Sequence, residues 1–210
     1  MQNNSSNSKY LLVKKITFIL LFFISGNLHA NILFEPHVGY IVKGGQDSYG
    51  PFHGTYRTYK YTGPQYGAKL GIKYYGFISG IQFNYSKFTV YRQSPGLMET
   101  NSDQKQEEYG LFVGYNLKSF LRTWITYSPY ARITQTNVGT SGELGTYFEG
   151  TSLEIGLGYR VFRLMNLNLA YRMITYSKDH DASTGLVTDL SPQMELKEYV
   201  LSASFPMNFL

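Results

Sequence analysis

Thr151 to Val161 reads T-S-L-E-I-G-L-G-Y-R-V, and the order of residue types in this stretch decides the fold. Leu153, Ile155, Leu157, Tyr159 and Val161 alternate with Ser152, Glu154, Gly156, Gly158 and Arg160. A period of two marks an extended chain whose successive side chains point to opposite faces. Opposite the apolar face stand a glutamate, an arginine and two glycines, which offer nothing from which to build a hydrophobic core. Such a strand fits a wall whose apolar side meets lipid and whose small or charged side lines a filled interior.

Composition agrees with a wall of that kind. Charged residues make up 16% of the 210-residue chain, below the roughly 25% of an ordinary soluble domain. The 20 Tyr, 14 Phe and 21 Gly suit strands, interfacial girdles and tight interiors. Net charge is +5, but Lys9, Lys14 and Lys15 lie before residue 31 with no acid among them, so the rest is nearly balanced. That balance argues against nucleic acid as a partner. The absence of cysteine removes disulfides, thiolate metal sites, cysteine nucleophiles and lipid attachment at a cysteine.

At the N-terminus a polar and then basic segment is followed by the apolar run Ile16 to Ile24 and by Ser25-Gly26-Asn27-Leu28-His29-Ala30. The run is about half of what a helix needs to cross a bilayer, so residues 1–30 read as a secretory signal peptide cut after Ala30. Residues 31–210 then form the mature domain, which enters a membrane, if at all, as strands.

Seven further segments share the alternation. Phe34, Pro36, Val38, Tyr40 and Val42 form one face of the first, with Glu35, His37, Gly39 and Ile41 opposite. The second sets Tyr66, Ala68, Leu70, Ile72 and Tyr74 against Gln65, Gly67, Lys69, Gly71 and Lys73. The third and fourth centre on Ile81 and Leu111. The fifth places Ile125, Tyr127, Ala131 and Ile133 opposite Trp124, Thr126, Ser128, Tyr130 and Arg132, with Pro129 as a candidate bulge because it lacks a ladder donor. Leu167, Leu169, Tyr171 and Met173 define the seventh, and Tyr199 to Phe209 the last. Four long polar segments, 44–62, 93–106, 136–149 and 177–194, read as loops and alternate with three short turns. An all-β, eight-stranded antiparallel up-and-down transmembrane barrel with both ends in the periplasm gives that order, each strand crossing in about 9–11 residues.

The signal peptide, the eight alternating segments and the closing strand together resemble the small bacterial outer-membrane barrels of the OmpA/OmpX/OmpW type. The resemblance covers residues 31–210 and implies export, residence in the outer membrane and insertion by the barrel-assembly machinery. It makes Phe209 the terminal aromatic read as an assembly signal, with Phe205, Leu201 and Tyr199 in step before it; Leu210 follows the aromatic and Pro206 interrupts the strand. It also implies outer-membrane lipid and lipopolysaccharide as neighbours and a monomeric chain. The competing soluble arrangement, a lipocalin-like barrel, reverses the sidedness, with apolar side chains inside and charges outside.

Candidate functional residues fall into three groups. Inward positions carry Lys69, Lys73, Arg132, Arg160 and Arg172 against Glu35, Glu108, Glu154 and Glu198. Arg132, Glu154 and Arg172 are expected at one height on strands five to seven, and Glu35 beside Lys73 near the periplasmic end. The favoured reading is a charged plug, since eight strands leave a lumen just wide enough for side chains; a minor solute channel is the alternative. Tyr56, Arg57, Tyr59 and Lys60 in the first long segment suit either an adhesive loop or an interfacial belt touching lipopolysaccharide. His180, Asp181 and Ser183, with Glu195 beyond, are the nearest approach to a hydrolytic set. Some small outer-membrane barrels modify lipid A, but no histidine and serine stand two apart on an outward strand face here. No catalytic residue, metal site or cofactor is expected.

Overall fold

The structure, a computed structural model, describes residues 31–49, 56–93, 100–117, 120–138 and 145–209; the expected signal peptide lies outside the described residues. Its strands are β1 (Asn31–Tyr49), β2 (Tyr56–Tyr74), β3 (Phe77–Gln93), β4 (Thr100–Leu117), β5 (Leu121–Val138), β6 (Tyr147–Phe162), β7 (Met165–His180), β8 (Val187–Ser204) and the short β9 (Met207–Phe209). From β1 to β8 each pairs antiparallel with the next in sequence, and β8 pairs with β1 to close the ring. β9 is not a ninth stave. After a break at Phe205 and Pro206 it continues β8 along β1, with Ile32 opposite Phe209. The Phe205 N–H spans that break by donating to the Pro36 carbonyl at 2.9 Å. The fold is therefore a closed eight-stranded antiparallel barrel, which leaves lipid no unpaired backbone edge in the closed zone.

The outer wall carries an apolar band. Leu70, Ile81, Leu111, Ile125, Leu157 and Leu169 are all exposed on its outside. Aromatic residues bracket this band. Toward the tight turns lie Tyr74, Phe77, Tyr115, Phe120, Tyr159 and Phe162, and toward the far end lie Tyr40, Tyr66, Tyr109, Tyr127 and Tyr199. Many of these rings meet across strands, Phe77 with Tyr115 at 4.8 Å and Tyr171 with Tyr199 at 5.0 Å. Two aromatic girdles around an aliphatic band are what a barrel presents to two lipid–water interfaces.

At the turn end, β2 and β3 are joined by Tyr75 and Gly76, both with positive φ (44° and 91°). That is the type I′ arrangement, whose twist matches the strands it connects. The opposite end departs from the sequence expectation. β1 to β8 are 16 to 19 residues long, and most of the residues read as long loops extend the hairpins instead. At about 3.3 Å per residue and a tilt near 40°, such strands rise about 40–48 Å, well beyond an apolar band of about 25 Å. In this extension the sidedness inverts: Val90, Ile133, Ile174 and Leu196 are buried inside, while Lys87, Lys178 and Lys197 point out. Away from lipid the hydrophobic effect again drives apolar side chains inward.

β5 shows how the inversion is made. Its pairing with β6 shifts between Ser128 and Ala131, and its pairing with β4 shifts opposite Tyr109 and Leu111. Pro129 lies in this bulge and is exposed. The extra residue rotates all that follows by one position, so Ala131 and Ile133 are buried inside and Arg132 is turned outward, reversing the faces expected for this half of the strand.

Candidate functional site

The lumen is filled in layers. Nearest the turns, Leu33, Ile78 and Phe112 form a small apolar cap. Above it lies a polar zone, and above that Ile41, Tyr61, Phe88, Val90, Ile133, Ile174, Tyr176 and Leu196 form an apolar plug against which Phe148, Leu190 and Met194 pack. The inward face thus does build hydrophobic clusters, a small one near the turns and a larger one that reaches up through the extension.

Arg172 on β7 organises the polar zone. It is fully buried. Its Nη1 donates to Glu198 Oε2 on β8 at 2.9 Å and its Nη2 to Glu154 Oε2 on β6 at 2.9 Å. Nη2 also reaches Gln65 Oε1 on β2 at 3.0 Å, and Nε lies 3.4 Å from Glu108 Oε2 on β4. One guanidinium thereby ties five strands together across the lumen. The carboxylates have further donors: Tyr61 OH to Glu198 at 2.7 Å, Trp124 Nε1 to Glu154 at 2.9 Å and Gln106 Nε2 to Glu108 at 2.6 Å. Buried charges persist only when their remaining lone pairs and protons are satisfied in this way.

A second pair lies toward the turns, where Arg122 of β5 grips Glu35 of β1 through both terminal nitrogens, Nη2 at 2.6 Å from Oε1. Arg122 Nη2 also donates to Asn168 Oδ1 at 3.2 Å, and Asn168 in turn donates to Ser204 Oγ at 2.9 Å. Lys69 is buried with its ammonium 3.7 Å from the centre of the Trp124 ring, a desolvated cation–π contact. Glycines make room for that ring. A Cβ on Gly156, opposite Trp124 across the β5–β6 ladder, would come within 2.0 Å of the indole.

The residues proposed from sequence are only partly brought together. Glu154 and Arg172 face each other across the β6–β7 ladder. Arg132 does not join them; with the strand rotated at Pro129, its guanidinium lies 3.7 Å over the Tyr147 ring near the far rim. Glu35 does not meet Lys73, because the β1–β2 register sets Lys73 opposite Asn31 and Glu35 opposite Lys69. Lys73 instead has Arg160 and Arg122 as its charged neighbours, and Arg160 is half-buried toward the turns with its backbone N–H on the Phe120 carbonyl. Arg122 escaped the sequence reading because strand five was begun at Trp124, although positions 122, 124, 126 and 128 continue one inward alternation.

Lys60 is exposed on β2, opposite Gly45 and Tyr91. The backbone of Tyr56, Arg57 and Tyr59 belongs to the β1–β2 hairpin rather than to a loop, and their side chains lie outside the described residues. Phe209 sits exposed on β9. The hydrolytic set is not assembled: Ser183 Oγ donates to Asp181 Oδ1 at 2.8 Å in a local turn, while His180 Nε2 lies 3.0 Å from Glu149 and its ring stacks on Tyr147. A nucleophile without a base within reach is not activated.

Among the described residues, the polar zone encloses little open space. The cavity bounded by Glu35, His37, Gln65, Lys69, Trp124 and Glu154 has a volume of about 20 Å³, room for about one water molecule.

No family model matches the chain, and no curated protein matches it in sequence. Solved structures do match in shape. The outer membrane protein OprG from Pseudomonas aeruginosa superimposes with a TM-score of 0.51 at 11% identity, over 87% of this chain and 98% of that one. Neisserial surface protein A (NspA) gives 0.49 at 16% identity, covering 84% and 97%. Ail, the attachment invasion locus protein of Yersinia pestis, in its complex with the heparin analogue sucrose octasulfate, gives 0.47 at 7% identity, covering 85% and 98%.

Proposed function

We propose that this chain, which has the eight-stranded fold of outer-membrane barrels, is a non-enzymatic integral outer-membrane protein whose sealed barrel anchors a rigid extension at the cell surface. In this reading the tight turns face the periplasm, the apolar band lies in lipid and the elongated hairpins rise outside the cell. Phe209, at the end of β9, is then the residue read by the barrel-assembly machinery, and lipopolysaccharide is the outer-leaflet neighbour.

The observation that carries the proposal is the layered lumen. A conducting path needs a continuous wet channel, and among the described residues an apolar cap, a paired charge zone and an apolar plug succeed one another, the charge zone enclosing a cavity of about 20 Å³. Opposite charges at Arg172 and its three carboxylates hold the middle layer shut rather than lining a route. The extension supports a surface role, because its core of Val90, Ile133, Ile174 and Leu196 gives it the rigidity of a small domain.

Planar bilayers test the proposal against the channel alternative. Purified protein is expected to insert without steady conductance, and Arg132→Ala is expected to leave the trace unchanged, since Arg132 is outside the lumen. Stable single-channel steps, whether or not Arg132→Ala alters them, would contradict the sealed lumen.

A further inference from the structure

Two grooves lie one above the other on the outer face of β2 to β5. The lower, about 450 Å³ and apolar, runs over Ala68, Leu70, Ile81, Phe83 and Leu111, inside the lipid-facing band. The upper, about 640 Å³, begins at Tyr40 and Tyr85 in the far aromatic girdle and rises between Lys87 and Lys105 to Tyr91. On β3 the outward positions Ile81, Phe83, Tyr85, Lys87 and Tyr91 lead from one groove into the other.

Lys87 and Lys105 are direct partners across the β3–β4 ladder. Like charges placed opposite each other on one face of a sheet repel and destabilise it. Glu107 lies 3.6 Å from Lys105, and both are partly solvated, so that pair offsets little of the repulsion. Asp103 also faces the groove, where it accepts from Thr89 Oγ1 at 2.8 Å. A phosphate between the two ammonium groups would relieve the repulsion by charge-assisted hydrogen bonds to both. The exposed faces of Tyr40 and Tyr91 offer flat apolar surface for the C–H side of a sugar ring, and the groove below accepts an acyl chain.

We infer that the stacked grooves form a binding track for one phosphorylated glycolipid of the outer leaflet, its phosphate held between Lys87 and Lys105 and an acyl chain laid along the lower groove. This inference rests on the outer-membrane reading and adds a lipopolysaccharide contact on the β3–β4 ladder to the one expected at the first hairpin.

The test is native mass spectrometry of the full mature chain, folded in detergent and offered diphosphoryl lipid A or phosphatidylglycerol. The parent protein is expected to retain lipid A in preference to phosphatidylglycerol. Lys87→Gln with Lys105→Gln is expected to lower that retention about tenfold, the size of two partly exposed charge contacts. Ala68→Phe, which fills the lower groove without touching the lysines, is expected to lower it as well. Lys178→Gln with Lys197→Gln, outward lysines on other strands, is expected to retain lipid A like the parent. Equal retention by the parent and the Lys87/Lys105 variant, equal loss in the Lys178/Lys197 control, or indifference between the two lipids would overturn the inference while leaving the membrane barrel standing. A chain that needs no detergent and shows no heat-dependent gel mobility would overturn the outer-membrane reading and the inference with it.

Discussion

Arg172→Ala is expected to lower the stability of the folded barrel by about 3–5 kcal/mol, the cost of leaving buried carboxylates without their cation. Glu108, Glu154 and Glu198 would then share a fully buried site around an empty centre, and Gln65 would lose its donor. The loss is read as a lower urea midpoint for the compact form on cold gels. Arg172→Lys is expected to fall between parent and alanine variant, because one ammonium cannot reproduce a fork that serves Glu154 and Glu198 at once. Combining Arg172→Ala with Glu154→Gln and Glu198→Gln is expected to recover part of the loss. If the alanine variant unfolded at the parental urea concentration, Arg172 would not be the strut that the geometry makes it.

Gly156→Ala is expected to cost about 2–4 kcal/mol, from overpacking together with a lost hydrogen bond. The added methyl group would stand within 2.0–2.6 Å of three indole carbons of Trp124, so the ring must leave its place. Its Nε1 donation to Glu154 and its contact with the Lys69 ammonium go with it. Trp124 is the single tryptophan of the chain, so its emission reports the displacement directly. Trp124→Phe in the Gly156→Ala background is expected to restore much of the stability by removing the colliding ring. Unchanged emission and stability in Gly156→Ala would mean that the glycine serves only backbone freedom.

The lipid-facing band was legible in the sequence because lipid enforces one rule on every strand that crosses it. Leu153, Ile155 and Leu157, like Leu70 and Ile81, show their alternation without any knowledge of the partner strand. Above the band that rule lapses. Residues 177–194 are polar and contain a glycine and a proline, which reads as loop, yet Lys178 to His180 of β7 pair with Val187 to Asp189 of β8 by backbone hydrogen bonds that need no apolar pattern. Pro129 was visible as a bulge candidate, but its consequence for Arg132, Ala131 and Ile133 was not, since one extra residue transfers a whole half-strand to the other face.

The charge zone was legible as residue types and not as pairs. Glu35, Glu154 and Arg172 stand out as ionisable groups on an inward face, but which cation each carboxylate meets depends on register and on reach across the lumen. Glu35 finds Arg122 from the opposite side of the barrel, a contact between residues 87 positions apart. The apolar plug was hidden for another reason: Ile133, Ile174 and Leu196 lie where the sidedness has already inverted, so a pattern calibrated on the lipid band assigns them wrongly or calls them loop.

The most direct test of the account is the gel mobility of the mature protein, folded in detergent and run cold with and without boiling. A closed membrane barrel predicts a compact form of shifted mobility that boiling abolishes, with sheet-type circular dichroism before heating. A chain soluble without detergent, with the same mobility boiled or unboiled, would contradict a lipid-facing band and turn the exposed Leu70, Ile81 and Leu157 into surface that some other partner must cover.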